Sequence, residues 1–236
     1  MKNRRQFIKT TVAASSVMIL PHVNFTGSDR LRNVLILGDS ISIGYTPFVQ
    51  TMLSYLAEVK RPMLENGEAE NCQGTTNGLR KLKGWIGSTS WDVIHFNFGL
   101  HDLKHVDPTT GEGSQNPNDP LQADLKQYKK NLTEIVEILK GTGADLIFAT
   151  TTPYPDKPEG PLRDPGMPEK YNHVAIKIMN KNNITINDLY TFAKPRLAEI
   201  QLPNNVHFKD TGYRALADKV IDRITELLED RHSRGL

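Results

Sequence analysis

Two residues in this 236-residue chain stand where nucleophilic chemistry is possible. The first is Ser40, in the run Ile36-Leu37-Gly38-Asp39-Ser40-Ile41-Ser42-Ile43-Gly44-Tyr45. A continuous apolar stretch, Asn33 to Leu37, leads straight into it, and a helix is expected to follow. A serine at a strand-to-helix junction presents its hydroxyl at the carboxyl edge of a sheet. Its own N–H then lies near a helix N-terminus, whose dipole favours negative charge developing nearby. Gly38 lets the chain turn tightly there. The same placement suits a serine that only caps the helix, and both readings stay open at this level. The second residue is His207, in Asn204-Asn205-Val206-His207-Phe208-Lys209-Asp210-Thr211-Gly212-Tyr213, on a loop ahead of the last helix. Imidazole is the usual base for a serine, because its ordinary pKa of ~6.5 leaves it mostly neutral at physiological pH. A lone histidine is just as readily structural. Cys72 is the single cysteine, so no intramolecular disulfide and no zinc site built on several cysteines is possible. It reads as a small apolar core residue.

Positioning these residues requires a scaffold, and the spacing of apolar residues predicts one. Residues 33–37 read as a buried strand, 48–59 as a helix, and 91–98 as a second strand. Over 122–140, Leu125, Tyr128, Leu132, Ile135, Val136 and Leu139 fall on one helical face, closed by Gly141 and Gly143. Residues 144–150 form another buried strand, 169–182 a helix and 183–187 a short strand. A long amphipathic helix covers 211–230, with Thr211 or Asp210 as its cap. Strands alternating with helices predict a three-layer α/β/α sandwich on a mostly parallel sheet, with its site at the carboxyl ends of the strands. Ser40 and His101 both follow apolar strands, and His207 precedes a helix. No internal repeat and no linker is visible.

The run Ile36 to Tyr45 resembles the first block of the GDSL/SGNH hydrolase superfamily, and Val206-His207-Phe208, ahead of Gly212 and the C-terminal helix, resembles its last. The resemblance spans residues 33–230, with four blocks in the expected order. It implies a flavodoxin-like fold with five strands, Ser40 as nucleophile and His207 as base. The family usually has an aspartate three residues before the histidine; here that position is Asn204, so either Asn204 orients the imidazole through its carbonyl oxygen or another acid takes the aspartate's place. The family's oxyanion hole uses the nucleophile's N–H, a glycine N–H and an asparagine in a G-x-N-D block. Asn71-Cys72-Gln73-Gly74-Thr75 makes Gly74 the glycine, and Gly99-Leu100-His101-Asp102 puts His101 where asparagine is usual. An imidazole N–H can also donate to an oxyanion. Asp39 and Asp102 are expected in supporting roles. No metal and no cofactor is implied.

The remaining features bear on substrate and location. Net charge is +2, from 29 basic and 27 acidic residues, without the basic blocks of a nucleic-acid binder. Arg4, Arg5, Phe7, Ile8 and Lys9, ahead of a weakly apolar run to Leu20, resemble a twin-arginine export signal. That run is too short and polar for a stable membrane anchor. Residues 1–28 are therefore read as signal and linker, 29–236 as one hydrolase domain, and the protein as periplasmic or secreted and bacterial. Two polar insertions, 103–121 and 153–168, should overhang the site. Arg163, Lys104 and His105 on them could meet an anionic substrate such as an acidic or sulfated sugar, although solvated loop charge explains any one of them. Exported enzymes of this family often remove acetyl groups from polysaccharides, so the resemblance implies a carbohydrate O-acetyl esterase acting on a small-molecule or glycan ester. The alternatives are a different ester, such as a lysophospholipid or sulfate ester, and a glycan-binding relative without turnover.

Overall fold

The computed structural model describes residues 30–235, so the expected export segment lies outside the described residues. Five strands, β1 (Arg32–Leu37), β2 (Ala57–Lys60), β3 (Val93–Phe96), β4 (Asp145–Ala149) and β5 (Thr185–Asn187), form one parallel sheet in the order β2-β1-β3-β4-β5. β3 is buried at every position because helices cover both faces of the sheet. β2, at the edge, alternates buried and exposed residues.

The helices are α1 (Ser40–Met52), α2 (Thr75–Ile86), α3 (Leu125–Lys140), α4 (Met167–Lys181), α5 (Leu189–Ala193), α6 (Leu197–Ile200) and α7 (Asp210–Ser233). A 3₁₀ turn, Lys194–Arg196, joins α5 to α6. α1 packs on α7 in one layer, and α2, α3 and α4 pack in sequence in the other. This is the expected three-layer sandwich. The chain leaves β1 for β2 on one side and later returns to pair β3 on the other, so a switch point opens beside the end of β1.

Several boundaries differ from expectation. The helix expected over 48–59 begins eight residues earlier, at Ser40, and its last residues belong to β2. Ala57-Glu58-Val59-Lys60 alternates in burial as an edge strand should, but four residues are too few to separate period 2 from period 3.6. α2 was not foreseen, because Gly78 and Gly84 dilute its helical pattern, yet Leu82 buries fully against the core. α7 starts at Asp210 rather than 211, and its cap is Lys209, with no side-chain bond at that position. Asp210 still places a negative charge in the first turn, where the helix dipole favours it.

Candidate active site

Asp39 caps α1, its Oδ1 accepting the Ile41 N–H at 2.9 Å. Ser40 is therefore the first helical residue and not the cap. Its Oγ lies 2.8 Å from Nε2 of His207. The direction of that bond follows from the other side of the ring. Oδ1 of Asn205 lies 3.0 Å from the His207 backbone N–H and 2.8 Å from Nδ1. A backbone N–H is always a donor, so the Asn205 atom facing it is the carbonyl oxygen. The same oxygen then accepts from Nδ1, which must carry the ring proton. Nε2 is left as the acceptor for the Ser40 hydroxyl. That is the tautomer a general base requires.

The orienting side chain is thus Asn205, and the expectation for Asn204 is corrected. Asn204 sits at φ +51°, a left-handed conformation that asparagine tolerates, and turns the chain. Its carbonyl accepts the Glu159 N–H at 2.6 Å, tying this turn to the 153–168 insertion. The turn displaces the orienting position by one residue, which spacing alone could not reveal.

β3 delivers His101. Gly99 has φ +151°, and a Cβ there would overlap the Thr151 hydroxyl, so only glycine makes this exit. Lys104 Nζ lies 3.4 Å from His101 Nδ1. An ammonium only donates, so Nδ1 accepts and the His101 proton resides on Nε2. Burial, with the charges of Lys104, Arg163 and His207, depresses the His101 pKa to about 3, so the ring stays neutral. Burial foremost, and then Arg163, also holds His207 below its ordinary value.

Gly74 caps α2, and a Cβ on it would press on Asp102 Oδ2 and the Gln122 amide. Its loop is held to the nucleophile loop by the Cys72 N–H, which donates to the Gly38 carbonyl at 3.1 Å. Cys72 itself is buried, and burial lifts its thiol to about 12. Asp102 Oδ1 accepts the Thr75 N–H at 2.8 Å and the Thr75 hydroxyl, joining the Gly74 and His101 loops. Burial raises Asp102 to about 7 and Asp39 to about 6.

Arg61 is a site residue that the motifs did not mark. Its guanidinium reaches Ser42 Oγ (3.2 Å), Thr46 Oγ1 (3.1 Å) and the carbonyls of Gly38 (3.5 Å) and Glu70 (3.0 Å). It braces the nucleophile loop from behind. Its partners are hydroxyls and carbonyls scattered along the chain, which leave no pattern to read.

The two insertions are joined by a β-bridge between Lys104 and Arg163 and by backbone bonds from the His105 N–H to the Leu162 carbonyl (2.9 Å) and from the Leu162 N–H to the Ser114 carbonyl (2.7 Å), while the His105–Leu121 and Val106–Gly113 bridges fold the first insertion on itself. His105 is spent on this stitching, with Nδ1 2.7 Å from the Asp119 carbonyl and Nε2 3.2 Å from Asp164. A cleft of about 800 Å³ runs beside them, lined by Gln73, Asn77, Arg80, Lys104, Glu112 and Gln122, among others. Gln122 borders Gly74 and Lys104 borders His101, so the cleft leads to the candidate oxyanion groups. Among the described residues no group of three or more His, Cys, Asp or Glu side chains is placed to hold a metal ion. Nor is any described helix long and apolar enough to cross a membrane.

A family model described as GDSL-like lipase/acylhydrolase matches residues 36–215, which include Ser40, Gly74, His101 and His207. The chain belongs to this family. Solved structures share the fold. An acetyl xylan esterase, AlAXEase, is 18% identical with a TM-score of 0.64 over 81% of this chain and 99% of its own. A lipase/acylhydrolase from Enterococcus faecalis is 19% identical, with a TM-score of 0.65 over 82% of this chain and 95% of its own. A catalytic mutant of an acetylxylan esterase from Geobacillus stearothermophilus is 17% identical, with a TM-score of 0.62 over 84% and 95%. Among curated protein sequences nothing matches. The family acts on ester bonds, which makes this chain an ester hydrolase by membership.

Proposed function

We propose that the protein is an exported carbohydrate O-acetyl esterase working through a Ser40–His207 pair. The observation that carries this is the relay from Asn205 Oδ1 through Nδ1–H and Nε2 to the Ser40 hydroxyl, at 2.8 Å on each side of the ring. Ser40 Oγ attacks the acetyl carbon as His207 Nε2 takes its proton. The resulting oxyanion is held by the Ser40 N–H, the Gly74 N–H and the Nε2–H of His101. Collapse expels the sugar hydroxyl, which leaves with the proton from His207, and the acetyl group stays on Ser40. Water, deprotonated by His207, then attacks the acyl carbon, and collapse breaks the bond to Ser40 Oγ, which takes the proton back from His207 as acetate is released. Asn205 orients the base without a countercharge, so the imidazolium formed in each step is stabilised by a dipole alone.

The polar lining of the cleft supports a glycan over a fatty acyl chain, which would need an apolar channel. Two structural neighbours titled as acetyl xylan esterases favour acetyl as the group removed. Incubating acetylated xylooligosaccharides with the wild type should release acetate, and Ser40→Ala should abolish it. Release of fatty acid from a lysophospholipid, or of sulfate from a sulfate ester, in place of acetate would redirect the substrate assignment. No release from any ester would favour a glycan-binding protein. Export is tested separately: replacing Arg4 and Arg5 together by lysine should leave the full-length chain inside the cell, and normal export of that variant would remove the twin-arginine reading.

A further inference from the structure

The site holds more positive charge than hydrolysis of a neutral ester requires. Arg163 is only 6% exposed, yet its guanidinium bonds no carboxylate among the described residues. Nε donates to the Leu100 carbonyl at 3.3 Å and Nη1 to the Pro161 carbonyl at 3.2 Å. Nη2 bonds no described residue and is not sealed from solvent. Lys104 is bridged to Arg163 through the backbone and lines the cleft, and its only side-chain bond among the described residues is the long one to His101. Neither cation lies within ion-pair distance of a carboxylate among the described residues.

Burying a cation without a partner is costly. Arg61 shows how this chain meets that cost elsewhere, by giving its guanidinium four oxygen contacts on protein groups. Arg163 has two, and both cations are held below their ordinary pKa, Arg163 by burial and Lys104 by burial first and then by the charge of Arg163. The buried carboxyls closest in effect are Asp39, which acts on Arg163, and Asp102, which acts on Lys104. Burial raises Asp102 to about 7, so it offsets Lys104 only in part, and neither carboxyl is within ion-pair distance of these cations among the described residues. On the cleft wall, Lys104 and Arg80 stand against the single lining carboxylate, that of Glu112. The charge of Arg163 reaches the candidate site, where it lowers both His101 and His207.

We infer that Lys104 and Arg163 form a subsite for an oxyanion on the substrate, a carboxylate or a sulfate, so that the ester cleaved is carried on an acidic glycan. Lys104 meets the anion from the cleft wall, and Arg163 supplies charge and the unspent Nη2 donor behind it. An Arg donor and a Lys point charge together suit an oxyanion and reward a neutral hydroxyl little. The inference rests on the esterase reading for what the ligand is, but its charge preference can be measured without turnover.

The experiment uses the Ser40→Ala protein, which binds without cleaving, and titration calorimetry with three short O-acetylated oligosaccharides. One carries a uronic acid, one has that carboxylate reduced to an alcohol, and one carries a sulfate on the same alcohol. An anionic ligand should bind about tenfold more tightly than the neutral one at low ionic strength, and added salt should shrink the difference. Carboxylate and sulfate are distinguished by which of the two is preferred. Adding Lys104→Gln, which keeps a donor for His101 but removes the charge, should cut the preference to about threefold or less. Arg163→Gln should do the same, and Arg163→Lys should restore most of it. Lys104→Gln leaves the backbone bridge intact, so it reads the charge even where Arg163→Gln loosens the loops. Equal binding of charged and neutral ligands, or a preference that survives Lys104→Gln, would overturn the inference; the cations would then serve the reaction's own oxyanion. Acetate release by the wild type is scored separately, so a preference without turnover sinks the esterase reading and leaves the subsite standing.

Discussion

At the scale of single residues, Asn205 decides which ring nitrogen of His207 faces Ser40. Its one oxygen accepts from both the backbone N–H and the ring Nδ1 of His207, fixing the tautomer. Asn205→Ala should lower kcat about 10²-fold with little change in KM, because proton transfer weakens and binding does not. Asn205→Asp keeps the acceptor and adds a charge that stabilises imidazolium. In the wild type, burial and Arg163 hold His207 below its ordinary pKa, so the acid limb of kcat/KM should fall below about pH 6.5. Asn205→Asp should move that limb upward, and an unshifted profile would mean the carboxylate does not contact the ring. His101 is tested the same way. If its Nε2–H donates to the oxyanion, His101→Ala should cost about 10²-fold in kcat, and His101→Asn should recover much of it. A loss under about threefold, or equal loss in both variants, would exclude that role. Ser40, His207, Gly74 and His101 were all visible as motif positions. Asn205 was not, because the left-handed turn at Asn204 belongs to φ and ψ and leaves no trace in spacing.

At the scale of elements, Ser40 and His207 meet because α7 lies on α1. Gly44 allows this, since a Cβ there would overlap the ring of Tyr213 on α7. Alanine is ordinarily the better helix residue by about 1 kcal/mol, so the two effects oppose. The Tyr213 ring packs edge-on to Phe208, centroids 5.9 Å apart, next to His207 in the chain, and has little room to yield. Gly44→Ala should therefore destabilise by about 1–3 kcal/mol in denaturant unfolding and lower kcat as the two helices shift. A stabilised variant would show that the contact is slack. Long elements with sustained periodicity, α3 and α7, were legible in the sequence to within a few residues. Among the short elements, β3, β4 and β5 were legible as apolar or β-branched runs, but three others were not. β2, α5 and α6 have five residues or fewer, and tertiary contacts decide their conformation more than pattern does.

At the scale of the whole molecule, the strand order β2-β1-β3-β4-β5 opens one crevice, and the loops after β1 and β3 meet there. The alternation of strand and helix was enough to predict a mostly parallel sheet with the site at the carboxyl ends of its strands, but not the strand order. The interior polar network was beyond it, because burial brings together groups far apart in sequence. Asp102 is the clearest case, bound to Thr75 on another element and raised to about 7 by burial. A carboxyl whose folded pKa lies above its unfolded one contributes most at low pH, and that contribution is lost as pH rises through the folded value. Asp102→Asn keeps the acceptor for Thr75 without the ionisation. Its Tm relative to wild type should therefore climb between pH 4 and about pH 8. A difference independent of pH would mean that the carboxyl is not held neutral in the fold.

The central claim is that Ser40 is activated by His207, and labelling with a fluorophosphonate tests it most directly. Intact mass of the domain beginning near residue 29 should show one covalent adduct on the wild type, none on Ser40→Ala, and slow labelling of Asn205→Ala. No adduct on the wild type, or an adduct that persists in Ser40→Ala, would contradict the account.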